Sequence, residues 1–133
     1  IFSSNNLQIK LTALANDYTS EDMEYHVLFH NWPAIEKEDI KVHIYRIAQE
    51  LFQNSKKNRA ATQIFLQFLR SDDEHLQVMY EDDGKKINQD SENALDLKNI
   101  QYRVESMNGH MDIEQYNNGV SINIAIPISI LHN

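Results

Sequence analysis

The chain contains no cysteine, which excludes a disulfide framework, a thiolate nucleophile and any cysteine-ligated zinc site. That absence fits a reducing cytoplasm. Glycine and proline are scarce, three and two in 133 residues, so the elements must be long and the loops short. No run approaches the roughly 18 apolar residues needed to cross a bilayer, and no secretory leader is expected from the first residues. Basic residues are few, 12 against 20 acidic ones, for a net charge of −8. A protein that grips a phosphate backbone uses a basic patch to displace counterions. The one local basic cluster here is Lys56, Lys57 and Arg59. Nucleic acid is therefore not the expected partner, and no direct membrane contact is expected. The first residue is Ile rather than Met, so the chain is expected to be a piece of a longer one, with any sensing or anchoring part upstream.

What is present suits one soluble domain. Apolar residues make up 41% and charged residues 24%, and the length allows a single core. Residues 7–16 carry apolar positions at Leu7, Ile9, Leu11, Leu14 and Ala15, consistent with a short helix. Residues 25–30 are β-rich and end at a Trp32-Pro33 break. A helix is predicted from about Glu36 to Asn58, because Ile40, Ile44, Ile47, Ala48 and Leu51 follow the spacing of one buried face. Two strands follow, with Ile64, Leu66 and Phe68 on one face of the first and Leu76, Val78 and Tyr80 on one face of the second. After Asp82-Asp83-Gly84, residues 85–93 read as loop. A helix over 95–107 buries Leu97, Ile100, Val104 and Met107, and Asn108-Gly109 supplies its stop. Strands over 110–115 and 120–128 flank an Asn117-Asn118-Gly119 turn. The order helix, strand, helix, two strands, helix, two strands predicts an α+β fold: a two-layer α/β sandwich with a mixed sheet and helices on one face.

Two constellations could carry chemistry. Glu50, Asn54 and Lys57 fall at i, i+4 and i+7 of the long helix and share one polar stripe. A carboxylate, an amide oxygen and an ammonium on one stripe suit a metal-bound triphosphate, since magnesium takes oxygen ligands and shares phosphate oxygens. Most such stripes are simply solvated helix faces. The second is Asp82-Asp83-Gly84 at a strand end, where a carboxylate can accept from an exocyclic amine and a glycine lets a flat ring come close. By itself it reads better as an ordinary Asp-Gly turn. The six histidines are scattered and suggest no metal site.

In order along the chain, these segments resemble a known family. Residues 44–58 (IYRIAQELFQNSKKN) resemble the asparagine-bearing helix of the ATPase domains of bacterial sensor histidine kinases. Those domains belong to the gyrase, heat-shock-90, histidine kinase and MutL superfamily. Residues 80–86 (YEDDGKK) resemble the first glycine box, DxGxG. Residues 94–104 (ALDLKNIQYRV) resemble the second, GxGLxNI followed by a helix, and residues 117–128 (NNGVSINIAIPI) the closing turn and last strand. The match covers residues 22–129 and is nearest to short-lid kinases that pair with LuxR-type or LytR-type response regulators.

The resemblance implies a Bergerat-type sandwich with a left-handed βαβ unit over residues 21–133. Residues 1–20 would then be either the end of an upstream dimerisation helix or a plain packing helix. It implies ATP and magnesium as ligands, held between the long helix and the glycine-box loop. Asn54 matches the magnesium-binding residue, and Glu50 the catalytic carboxylate that polarises the attacking group or a water. Lys57 and Asn58 fall near the phosphates. Asp82 matches the residue that takes the adenine amine, and Gly84 the glycine beside the base. Asn99 opens the helix after the lid, whose N-terminal amides would face phosphate. The implied partners are an upstream dimerisation and phosphoacceptor domain and a response regulator, in the cytoplasmic part of a membrane-anchored bacterial sensor.

The departures from the family pattern cluster at the ligand. Lys86 replaces the second glycine of DxGxG, Ala94 and Asp96 replace both lid glycines, and Val120 stands where a threonine is expected. A side chain at a positive-φ position costs about 1 kcal/mol or more, and Asp96 would repel phosphate. Two readings therefore stand: a working kinase domain closed in by a partner, or a structural and regulatory interaction module with weak or no ATP binding. A serine-directed kinase of the anti-sigma type shares the fold and is a third.

Overall fold

The computed structural model describes residues 4–58, 60–70, 72, 74–84 and 97–132. In chain order these form α1 (Ser4–Tyr18), β1 (Glu24–His30), α2 (Glu38–Asn58), β2 (Gln63–Leu69), β3 (His75–Asp82), α3 (Lys98–Ser106), β4 (His110–Tyr116), β5 (Gly119–Pro127) and a closing 3₁₀ turn (Ile128–Leu131). The sheet order is β1-β2-β3-β5-β4. β1 and β2 are parallel, with α2 as their crossover, and the other pairs are antiparallel. This is the mixed sheet expected from the element order.

Strand alternation sets the two faces. Ile64, Leu66 and Phe68 of β2, Leu76, Val78 and Tyr80 of β3, and Val120, Ile122, Ile124 and Ile126 of β5 are buried, at every second residue as a pleated strand requires. The register puts them side by side: Leu66 opposite Tyr80, and Tyr80 opposite Ile122. Gln67, Met79 and Asn123 point the other way and are only half-buried. Helices cover the apolar face. α2 lays Ile40, Ile44, Ile47, Ala48, Leu51 and Phe52 on it, and α3 adds Ile100 and Val104. Glu38 and Asp39 in the first turn of α2 and Lys56 and Lys57 in its last complement the helix dipole.

α1 is longer than the expected 7–16. It contributes Leu7, Leu11, Leu14 and Ala15 to the same core and rests on α2 and β1. Thr19 ties its end to the sheet: the hydroxyl donates to Ala15 O at 2.9 Å and accepts from Tyr25 N at 2.9 Å. Tyr18, Tyr25 and Phe52 close this junction with tilted and edge-on rings 4.8–5.7 Å apart.

Asn108-Gly109 stops α3, as expected from the sequence. The left-handed residue is Asn108, with φ 56°, rather than Gly109. Asn108 N–H donates to Glu105 O at 3.0 Å and Gly109 N–H to Val104 O at 2.9 Å, the paired bonds of a Schellman stop. Gly109 is required for space instead. A β-carbon there would lie 2.7 Å from Ala125 O, with Val104 on its other side. Gly109→Ala is expected to lower unfolding stability by about 1–3 kcal/mol through overpacking. Asn108→Gly, which relieves the left-handed strain, is expected to be neutral or slightly stabilising. Denaturant midpoints of the two variants test this, and similar losses in both would refute the assignment.

Candidate functional site

The stripe predicted on α2 exists and has a direction. His43, Ile47, Glu50, Asn54 and Lys57 share one side of the helix. Arg103 of α3 meets His43 across it, with Nη1 3.2 Å from Nδ1. Burial, then the Arg103 guanidinium, holds His43 below its ordinary pKa against the pull of Asp39. The His43 end of the stripe therefore faces α3. Glu50 and Asn54 are half-buried, and Glu50 Oε2 is out of reach of solvent. Lys57 is exposed and lines an open cleft with Tyr18, Gln53 and Lys56, on the α1 side. The structure thus groups Glu50 with Asn54 and leaves Lys57 at the margin.

At the end of β3 the three residues of the Asp82-Asp83-Gly84 turn divide their work. Asp82 continues the inward face and is 7% exposed. Its Oδ2 accepts from the Tyr80 hydroxyl, and its Oδ1 accepts from Gly84 N–H at 2.9 Å. Asp83 points outward and clamps the start of β2. Its Oδ1 accepts from Thr62 N at 2.7 Å and Gln63 N at 3.0 Å, and its Oδ2 accepts from the Thr62 hydroxyl. Val120 stands opposite Asp82 in β5 and is buried. Gly119, just before it, comes so close that a β-carbon would lie 2.6 Å from Asp82 O. The Asn117-Asn118-Gly119 turn thus needs its glycine for the approach of β5 to Asp82.

A buried polar contact ties α2 to β1. The Tyr25 hydroxyl lies 2.9 Å from Ser55 Oγ, next to Asn54 on α2, and Ser55 Oγ also donates to Phe52 O at 2.9 Å. The Tyr25 phenol is pushed above its ordinary pKa mainly by burial, opposed by its bond to Ser55, with the charges of Tyr18 and Asp82 adding to the rise. Sequence reasoning missed Tyr25, Ser55 and Tyr80. Tyr80 was legible, since it lies two residues before Asp82 on one strand face. Ser55 and Tyr25 are 30 residues apart and carry no local signal.

Asn99 lies in the first turn of α3 and is exposed. That helix begins with Leu97 at its N-cap and no side chain capping it. Asn58 is the last residue of α2. Lys86, Ala94 and Asp96, with Asp90 and Glu92 of the lid, lie outside the described residues, as does Arg59. An open cleft of about 520 Å3 also touches Asp82, but Gln63, Phe65, Glu81 and Ser121 place it on the helix-free side of the sheet. Glu50 and Asn54 do not line it, so it is distinct from the site the resemblance implies. No helix among the described residues is long and apolar enough to cross a membrane.

No protein-family model matches the sequence, and no curated protein matches it. Solved structures do. The histidine kinase domain of a blue-light-activated histidine kinase from Erythrobacter litoralis superposes with a TM-score of 0.72 at 19% identity, covering 96% of this chain and 64% of that one. The catalytic domain of histidine kinase ThkA gives 0.74 at 16% identity, covering 95% and 92%. The histidine kinase domain of the E. coli osmosensor EnvZ gives 0.68 at 16% identity, covering 96% and 87%. The chain spans about two thirds of the first of these and nearly all of the second. It has the two-layer Bergerat fold of histidine kinase catalytic domains.

Asp83 provides a test of the scaffold beneath the site. Burial alone would raise its carboxyl, but the bonds from Gln63 and Thr62 outweigh burial and hold it below 3.8. A depressed folded pKa means that the stabilisation is complete above the unfolded value and is lost as pH falls through the folded one. Asp83→Ala is expected to lower stability near pH 7 by about 1 kcal/mol or less, given its exposure. The gap to wild type should close as pH falls below about 4. Urea unfolding at several pH values reads both, and a gap independent of pH would refute the clamp.

Proposed function

We propose that this chain is the ATP-binding catalytic domain of a sensor histidine kinase, presenting Mg-ATP for phosphorylation of a histidine on an upstream domain. The observation that supports the reading is a buried, hydrogen-bonded carboxylate, Asp82, at the end of β3, in a fold whose long helix also carries the half-buried Glu50 and Asn54. The Tyr25–Ser55 contact fixes that helix on β1 of the sheet.

The residues suit the proposed ligands at two ends. Asp82 is a buried carboxylate of the kind that accepts from an exocyclic amine, with Gly84 beside it leaving room for a ring. Asn54 offers a half-buried amide oxygen one turn from the Glu50 carboxylate, a donor set that suits a hard cation able to keep several waters. Bound Mg-ATP would supply the transferable phosphoryl group and neutralise its charge. In this reading Asn54 holds the metal and Glu50 orients or deprotonates the attacking group. The N-terminal turn of α3 at Asn99 faces the phosphates, Asn58 ends α2 near them, and Lys57, at the margin, reaches them only by turning away from Tyr18 and Lys56.

Phosphoryl transfer depends mostly on positioning and charge, so a donor domain alone does not complete it. The reading therefore includes an upstream dimerisation and phosphoacceptor domain and a response regulator as partners, within the cytoplasmic part of a membrane-anchored sensor. α1 is proposed as a packing helix of this domain, because four of its residues share the core.

Calorimetric titration with a non-hydrolysable ATP analogue, with and without magnesium, tests the reading. Magnesium-dependent binding in the micromolar to low-millimolar range is expected, about −8 to −4 kcal/mol. Asn54→Ala should abolish the magnesium dependence while shifting unfolding stability by no more than about 0.5 kcal/mol. Folded wild-type protein that gives no heat at high ligand would favour the alternative, an interaction module that kept the fold without the nucleotide.

A further inference from the structure

The carboxylate at the end of β3 is already engaged. Tyr80, two residues earlier on the same face of the strand, donates its hydroxyl to Asp82 Oδ2, and Gly84 N–H donates to Oδ1. The two side chains are 2% and 7% exposed. Leu66 and Ile122 stand opposite Tyr80 in the flanking strands, both fully buried. The phenol is therefore confined to the core and cannot leave Asp82 without unpacking it. Both carboxylate oxygens thus carry a donor from the chain itself.

We propose that Tyr80 sets the base selectivity of this site, its hydroxyl competing for the Asp82 lone pairs that an exocyclic amine would use. The proposal rests on reading Asp82 as the group that recognises the base. Tyr80 touches no ligand and acts through Asp82, as a positioning residue. An ionised carboxylate has about four lone-pair sites, so an incoming amine is not barred. It meets an Oδ2 that is already satisfied, and gains less than it would from an acceptor lacking a donor. Replacing the phenol by a phenyl ring leaves a buried oxygen short of one donor in the free protein, a state that carries a desolvation penalty. An amine arriving at Oδ2 relieves that penalty, so the variant binds it more tightly. A purine with a carbonyl in place of the amine brings an acceptor and relieves nothing.

Tyr80→Phe keeps the ring and its apolar contacts, and a thermal melt checks that it folds. Wild type and variant are titrated with ATP and with the hypoxanthine nucleotide ITP, both with magnesium. The expected result is about tenfold tighter ATP binding in Y80F, with ITP affinity unchanged. A purely structural role for Tyr80 would move both nucleotides by the same factor. ATP affinity that is unchanged or weaker in Y80F, or equal changes for ATP and ITP, overturns the proposal while leaving nucleotide binding intact. Failure of either protein to bind either nucleotide overturns the nucleotide reading and this proposal with it. ATP binding by Y80F alone supports both. Should Y80F not fold, Tyr80→Met, which also lacks the donor, is read on the same ATP-to-ITP ratio.

Discussion

The register of β3 between β2 and β5 is the constraint on which the rest depends. Asp82 pairs with Ile64 on one side and Val120 on the other, and its place in the alternation turns it toward the helices. A slip of one residue would bring Asp83 inward and expel Asp82, since every side chain changes face together. Three devices guard against that slip. Tyr80 is buried beside Asp82 and bonded to it. Asp83 holds the first residues of β2. Gly119 alone permits the start of β5 to lie against Asp82 O. The turn is therefore aimed by the sheet and by its two acidic neighbours working on opposite faces.

α2 carries the second half of the proposed site by a related logic, with a period of 3.6 in place of 2. Its apolar stripe is committed to the sheet, which leaves the adjoining edge half-exposed toward α3. Glu50 and Asn54 sit on that edge, and the Arg103–His43 contact holds the rotation of α2 relative to α3. Ser55 is the exception on the buried side. Its hydroxyl satisfies itself locally on Phe52 O and also reaches Tyr25 of β1, so helix and sheet are joined by a hydrogen bond as well as by apolar contact. A buried polar pair is directional where apolar packing is not, which suits a junction that must hold a helix in one register.

Much of this was legible from periodicity. The buried face of α2, the inward residues of β2, β3 and β5, and the order of elements all follow from apolar spacing, because burial of one face is what those patterns encode. The helix that carries Glu50 and Asn54 and the strand that ends at Asp82 follow from the same spacing. What the spacing concealed has physical causes. Gly109 and Gly119 look like turn glycines, yet neither adopts a positive φ. Each is required by a carbonyl on another strand, and no local pattern records such a neighbour. The Tyr25–Ser55 bond spans 30 residues and depends on how α2 lies across the sheet. Lys57 was grouped with Asn54 by helical arithmetic, but a long side chain at a helix end has the freedom to turn toward Tyr18 and Lys56.

The residues that build the core and those that build the site are largely separate sets. The core is Ile, Leu, Val and Phe at periodic positions, and it would form with an apolar residue in place of Asp82. Burying a carboxylate costs free energy unless it is fully hydrogen-bonded, and this chain supplies donors for it from Tyr80 and Gly84. Beyond its part in fixing the register, a fold that had only to be stable gains little from that arrangement, since replacing buried ionic groups by packed apolar ones is often neutral or stabilising. Asp82 therefore opposes the stability of the core it sits in, and the surrounding chain is arranged to tolerate it. Such local conflicts, kept and compensated, belong to functional sites more than to scaffolds. In the nucleotide-binding reading proposed above, the compensation is what an acceptor kept for a ligand at the end of β3 requires.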